Sequence, residues 1–176
     1  SGMESGLSDE TINISNLATG VCIKTLEGHG NWVPSVCALG LDQLASAGSY
    51  DDSIKIWNHA TGVCIKTLEG HGAFVSSVCA LGLDQLASGS RDKSIKIWNL
   101  TTGVCIKTLK GHGGWVSSVC ALGLGQLASG SDDKSIKIWN LTTGVCIKTL
   151  EGHGDWVSSV CALGLDQLAS GSYDKS

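Results

Sequence analysis

Proline, phenylalanine, methionine and arginine each occur once in the 176 residues. With proline so rare, the 24 glycines must carry the turns, and the short apolar runs between them suggest many strands. Clustered positive charge is also missing. Eleven lysines and Arg91 are spread evenly along a chain of formal charge −4, and this excludes a nucleic-acid partner, which needs basic clusters that release counterions. No apolar run approaches the length of a bilayer span. The longest, residues 36–41, already contains a glycine, so no membrane role is expected. The start, Ser1-Gly2-Met3, has no hydrophobic leader. It reads as a tag remnant followed by a native start at Met3, and a cytoplasmic location is the expectation. Phosphate-loop, dinucleotide and zinc-protease patterns are absent, and no cofactor or metal is expected. Asn13, Asn99 and Asn140 match the glycosylation acceptor pattern, which repeat copying explains.

What is present is a repeat. Gly28-His29, Gly70-His71, Gly111-His112 and Gly152-His153 lie 42, 41 and 41 residues apart. Residues 62–102 and 103–143 differ at five of 41 positions. Such a period marks a repeat architecture. Each unit holds four strand-like runs, which in the second unit are residues 75–81, 85–90, 94–99 and 104–109, labelled a to d. Alternation is clear at 94–98 and weak in strand a, where small apolar residues on both faces suggest a strand buried on both sides. The first unit is one residue longer within Ala45-Ser46-Ala47-Gly48-Ser49, and this predicts a bulge in that strand.

The period, the four strands, the Gly-His before strand a, and Trp57-Asn58, Trp98-Asn99 and Trp139-Asn140 closing strand c together resemble the WD-repeat family over residues 6–176. The family's usual aspartate after this tryptophan is asparagine here. The resemblance implies an all-β propeller of four-stranded antiparallel blades around a central channel. It also implies that each histidine is structural, joined to an aspartate of the b–c turn, a serine of strand b and the strand-c tryptophan. The matching sets are His29, Ser46, Asp51, Trp57; His71, Ser88, Asp92, Trp98; and His112, Ser129, Asp133, Trp139. Asp–His–Ser resembles a hydrolase triad on paper, but three near-identical copies, each with a tryptophan, read as a satisfied buried network, and no enzyme activity is expected.

The chain does not start at a blade boundary. Residues 11–16 match strand c and 21–26 strand d, while 157–163 and 167–172 match strands a and b. Four blades per chain follow, three complete and one split between the termini. The split blade has His153, Ser170 and Asp174, but Ser15 replaces its tryptophan. Residues 1–8 are expected to be loose, with 9–176 forming the repeat domain. Four blades would diverge by about 90°, whereas the small residues of strands a and b favour nearly parallel faces, so an eight-bladed ring of two chains, a homodimer joined at the split blade, is expected. A piece of a longer propeller is the alternative.

Eight cysteines invite a disulfide reading. They fall in strands a (Cys37, Cys79, Cys120, Cys161) and d (Cys22, Cys64, Cys105, Cys146). Three strand spacings, roughly 14 Å, exclude bridges within a blade, and free thiols are expected, those of strand a buried. The copies differ mainly at Asn31/Ala73/Gly114/Asp155 and at Tyr50, Arg91, Asp132 and Tyr173. Beside the former stand the aromatics Trp32, Phe74, Trp115 and Trp156. Antiparallel strands bring the d–a loops and b–c turns to one rim, where aromatic and arginine side chains suit a protein or peptide partner. The expected function is a non-enzymatic interaction scaffold. The alternative is a purely structural self-assembling ring, natural or engineered, without ligand.

Overall fold

The computed structural model describes residues 10–40, 42–48, 50–164 and 166–175. The expectations that residues 1–8 are loose and that Met3 is a native start lie outside them. Among the described residues every regular element is a strand, and all strand pairs are antiparallel. A two-stranded sheet, β1 (Ile12–Ser15) and β2 (Cys22–Leu26), opens the chain. Three four-stranded sheets follow: β3 (Ser35–Gly40), β4 (Gln43–Ala47), β5 (Ile54–Asn58), β6 (Val63–Leu68); then β7 (Val75–Ala80), β8 (Gln85–Ser90), β9 (Ser94–Asn99), β10 (Cys105–Lys110); then β11 (Val116–Gly123), β12 (Gln126–Ser131), β13 (Ile136–Asn140), β14 (Cys146–Leu150). A second two-stranded sheet, β15 (Val157–Ala162) and β16 (Leu168–Ser172), ends it. No helix of the described residues is long and apolar enough to cross a membrane.

The core lies between successive sheets. Ala45, Ala47, Ile54, Ile56 and Leu68 of the first sheet meet Val75, Val78, Leu86 and Trp98 of the second, and the pattern recurs at the next joint with Ala87, Ile95, Ile97 and Leu109 against Val116, Val119, Leu127 and Trp139. The approach is closest at the second and third joints, where glycine stands at the position that Ala47 holds in the first. A Cβ on Gly89 would stand 2.7 Å from Val116 Cγ1, and one on Gly130 2.6 Å from Val157 Cγ1. Polar links cross the same joints. The Val78, Val119 and Val160 amides donate to Ser35, Ser77 and Ser118 hydroxyls at 3.1, 3.1 and 3.2 Å. The Lys66 and Lys107 ammonium groups each donate at 2.7 Å to the carbonyls of Leu100 and Leu141 in the next sheet, and Lys24 reaches the Ala60 carbonyl in the same way.

Two features differ from the sequence expectation. The extra residue of the first unit does not bulge β4, whose pairing with β5 is regular from Gln43 to Ala47. Ala47 pairs with Ile54 as Gly89 pairs with Ile95, so the extra residue lies beyond the ladder, in the connection between β4 and β5. Irregularities occur instead in β3, β7, β11 and β15 and in β2, β6, β10 and β14, at Ile23, Ile65, Ile106 and Ile147, the latter beside the position paired with Ser15 or the tryptophan. A bulge on an edge strand spoils the template for further pairing.

Uncovered apolar faces occur toward both ends of the chain. Val36 is 53 % exposed, while its counterparts Val78 and Val119 are 5 % exposed. Ala169 in β16 is exposed, while Ala45, Ala87 and Ala128 are completely buried. Leu17, whose counterparts Leu100 and Leu141 pack on core clusters, is fully exposed.

Candidate functional site

Each complete sheet holds one polar network, built where strand c brings its tryptophan across from the serine of strand b. In the second sheet His71 Nδ1 lies 2.7 Å from Asp92 and Nε2 2.7 Å from the Ser88 hydroxyl, which accepts the Trp98 indole N–H at 2.8 Å. Asp92 also accepts from the Gly72 amide at 3.1 Å and from the Ser94 amide and hydroxyl at 2.9 and 2.6 Å. His112, Asp133, Ser129 and Trp139 repeat these contacts at 2.7, 2.7 and 2.8 Å, and His29, Asp51, Ser46 and Trp57 at 2.9, 2.6 and 2.8 Å. The hydroxyl that accepts from the indole has its own proton for Nε2, so Nδ1–H faces the carboxylate. Ser46, Ser88 and Ser129 are completely buried under tryptophan, which leaves no route for a substrate. In the split unit His153 lies 2.7 Å from Asp174 and 2.8 Å from Ser170.

Burial lowers the pKa of His71 below the usual 6.5, although Asp92 opposes the shift. His29 and His112 move the same way for the same reason. Burial works against the Asp92 charge, but hydrogen bonds from Ser94 and His71 outweigh it and hold its carboxyl at about 2. Histidines and aspartate therefore bind protons less readily folded than unfolded, and stability is lost as protons are added. Thermal unfolding followed by circular dichroism is expected to show full stability above pH 6.5, a decline below it, and a further loss between pH 3.8 and about 2. A melting temperature that stays level from about pH 7.5 to 5 would contradict neutral buried histidines.

All eight cysteines are free thiols. The strand-a thiols are half-buried rather than buried at Cys37, Cys79 and Cys120, and exposed at Cys161, because no sheet covers that face of β15. Burial pushes the Cys37 thiol up to about 11 and the Cys79 thiol to about 12. Among the described residues no group of three His, Cys, Asp or Glu side chains is placed to hold a metal.

The second assembly is the rim. Backbone bonds from Arg91 to Phe74 at 2.9 Å, Asp132 to Trp115 at 3.0 Å and Tyr173 to Trp156 at 3.0 Å tie three of the b–c turns to their d–a loops, which brings the two variable positions of those units to one end. The Arg91 guanidinium lies 4.2 Å from the Phe74 ring and 4.5 Å from the Trp115 ring of the next sheet. Trp156 and Tyr173 meet edge to face at 6.0 Å. Trp32, Tyr50, Phe74 and Arg91 line one cleft of about 380 Å³, and Phe74, Arg91, Trp115, Asp132, Trp156 and Tyr173 line a second of about 220 Å³. Burial raises the Asp132 pKa, with nearby Arg91 opposing. The Arg91 contact to the neighbouring sheet is not legible in sequence; its only signal is that the sole arginine stands where the other copies carry tyrosine or aspartate. One further difference between copies is structural: Asp84, replaced by Gly125 in the next unit, accepts from Asn99 at 2.7 Å and Thr101 at 2.6 Å, away from the rim.

A family model described as WD domain, G-beta repeat, matches residues 20–58, 62–99, 103–140 and 144–176. No curated protein matches the chain.

Proposed function

The chain belongs to the WD-repeat family, and on that premise we propose that it is a non-enzymatic scaffold that holds a protein or peptide on the rim of d–a loops and b–c turns. The observation that carries this is Arg91. Two aromatic rings occupy its faces, so its N–H edge is fixed, and among the described residues no carboxylate stands within ion-pair distance of it. A guanidinium held this way is pre-organised to donate to an acceptor on a partner. The flanking half-exposed Trp32, Trp115 and Trp156 supply the anchoring surface such contacts need. Peptides selected from a display library against the chain should lose at least about tenfold in affinity, near 1.4 kcal/mol, when Tyr50, Arg91, Asp132 and Tyr173 are all changed to alanine. Unchanged binding by every selected peptide would refute the rim.

The same reading has two chains completing one eight-bladed ring. The faces at the two ends are complementary in kind: Val36 and Leu17 lack covers at one end, and Ala169 lacks one at the other. By the pattern of β8 on β9, β16 would pair with β1 of the second copy, with Ala169 opposite Ile14 and Leu168 opposite Ser15. By the pattern of Lys66, Lys148 would donate to the Leu17 and Ala18 carbonyls, and by that of Ser77, Ser159 would accept from the Val36 amide.

A further inference from the structure

Three tryptophans occupy three copies of one nest. Each is built from the glycine and histidine of the d–a loop, the serine of strand b, and an isoleucine and a leucine of the preceding sheet. Trp98 has its ring tip 3.5 Å from a Cβ built on Gly70, stands 6.0 Å from the His71 ring, donates to Ser88 and shares a core cluster with Ile54 and Leu68. Trp139 repeats this with Gly111, His112, Ser129, Ile95 and Leu109.

The fourth nest has the same walls and no tryptophan. Ile136, Leu150, Gly152, His153, Leu168 and Ser170 line a cleft of about 330 Å³. Among the described residues of the single chain no strand c pairs with β16, so this cleft is open and a Cβ on Gly152 would meet nothing within 4 Å, whereas the other three glycines of this type each face the tryptophan ring of their own strand c. The residue aligned with Trp98 is Ser15, whose side chain is far too small to fill the space. The polar half of the nest is nevertheless set: His153 is held by Asp174 and lies 2.8 Å from Ser170, the arrangement that elsewhere leaves the hydroxyl accepting an indole N–H.

We infer that the split sheet carries a binding nest for a small planar aromatic heterocycle with a ring N–H, of which indole is the type. The inference rests on closure of the split sheet, which places β1 and Ser15 beside Leu168. The ring would lie between Ile136, Leu150 and Leu168 and donate its N–H to the Ser170 hydroxyl. Apolar protein cavities of roughly 150 Å³ take up single aromatic rings, and an indole is the shape three neighbouring nests already hold.

The experiment is thermal unfolding of the assembled protein with and without about 1 mM indole, with the mass of the same samples read by light scattering. Indole is expected to raise the melting temperature of the unaltered chain by a few degrees. Ser15→Trp is expected to melt about 5 °C or more higher and to ignore indole. Ser15→Leu, a smaller filler, guards against misfolding of the larger one and should also blunt the response. Indene, which lacks the N–H, should bind at least about tenfold more weakly. N-acetyltryptophanamide should be weaker than indole; the reverse order would overturn a free heterocycle as the ligand and assign the ring to a protein. A two-chain mass with no indole response, or with a response that Ser15→Trp retains, overturns the nest and leaves the ring. A one-chain mass with no response overturns both, and a one-chain mass with a response that Ser15→Trp removes supports the nest while overturning the dimer.

Discussion

Replacing Ala169 with glutamate is expected to halve the solution mass while leaving the strand content of each chain intact. Ala169 is exposed in the single chain, so a charged side chain there meets water and costs the chain's own fold little. Its counterparts Ala45, Ala87 and Ala128 have no exposed surface, because the next sheet lies directly on them. If a second copy completes the split sheet, the joint has no room for the new side chain: an unpaired carboxylate would be buried between sheets, at a cost of several kcal/mol. Ala169→Ser, small and neutral, should keep the two-chain mass. Light scattering on a sizing column reads all three proteins. An Ala169→Glu protein that still runs as two chains would show that this face is not part of a joint, and an unaltered protein of one-chain mass would dispose of the dimer altogether.

Removal of a nest tryptophan should be the most damaging single change within a chain. Trp98 is 1 % exposed and packs against the preceding sheet, and its N–H is one of two contacts of the buried Ser88 hydroxyl. Trp98→Ala is expected to cost about 3–5 kcal/mol in urea unfolding, the usual range for deleting a buried large aromatic. Trp98→Phe keeps most of the ring volume and gives up the N–H, and should cost about 1–3 kcal/mol. Ser15→Ala, at the equivalent position of the split sheet, should change stability by less than about 0.5 kcal/mol, because that serine fills no core. A loss below about 1 kcal/mol for Trp98→Ala would contradict its place in the joint.

Much of this is legible in the amino-acid sequence, for identifiable reasons. Strands 85–90 and 94–99 can be read to the residue because glycine and aspartate turns bound them and Ile95 and Ile97 alternate with Ser94 and Lys96. The His71, Ser88, Asp92 and Trp98 set comes from resemblance to a repeat family, and the distances agree with it. The extra residue near Gly48 reads as part of the strand because sequence counts residues but does not say which side of a turn absorbs them. The bulges at Ile65 and Ile106 leave no signal, since Val-Cys-Ile-Lys-Thr-Leu reads as an ordinary short strand with neither glycine nor proline to mark an irregularity. The seat of Arg91 between Phe74 and Trp115 depends on how far one sheet rotates against the next, and that angle is a property of packing. The half-burial of Cys79 has the same origin.

The lysine links between sheets have an evolutionary reading. Lys66 and Lys107 grip backbone carbonyls, and every residue type supplies a carbonyl. Lys24 makes the same grip on the first unit, where Ala60 replaces the threonine found at positions 101 and 142. The fastener therefore does not read the side chain it fastens to. A duplicated unit arrives with its half of the joint already matched to any neighbour, so copies can be gained, lost or exchanged without compensating changes next door, and the turn they grip is left free to drift.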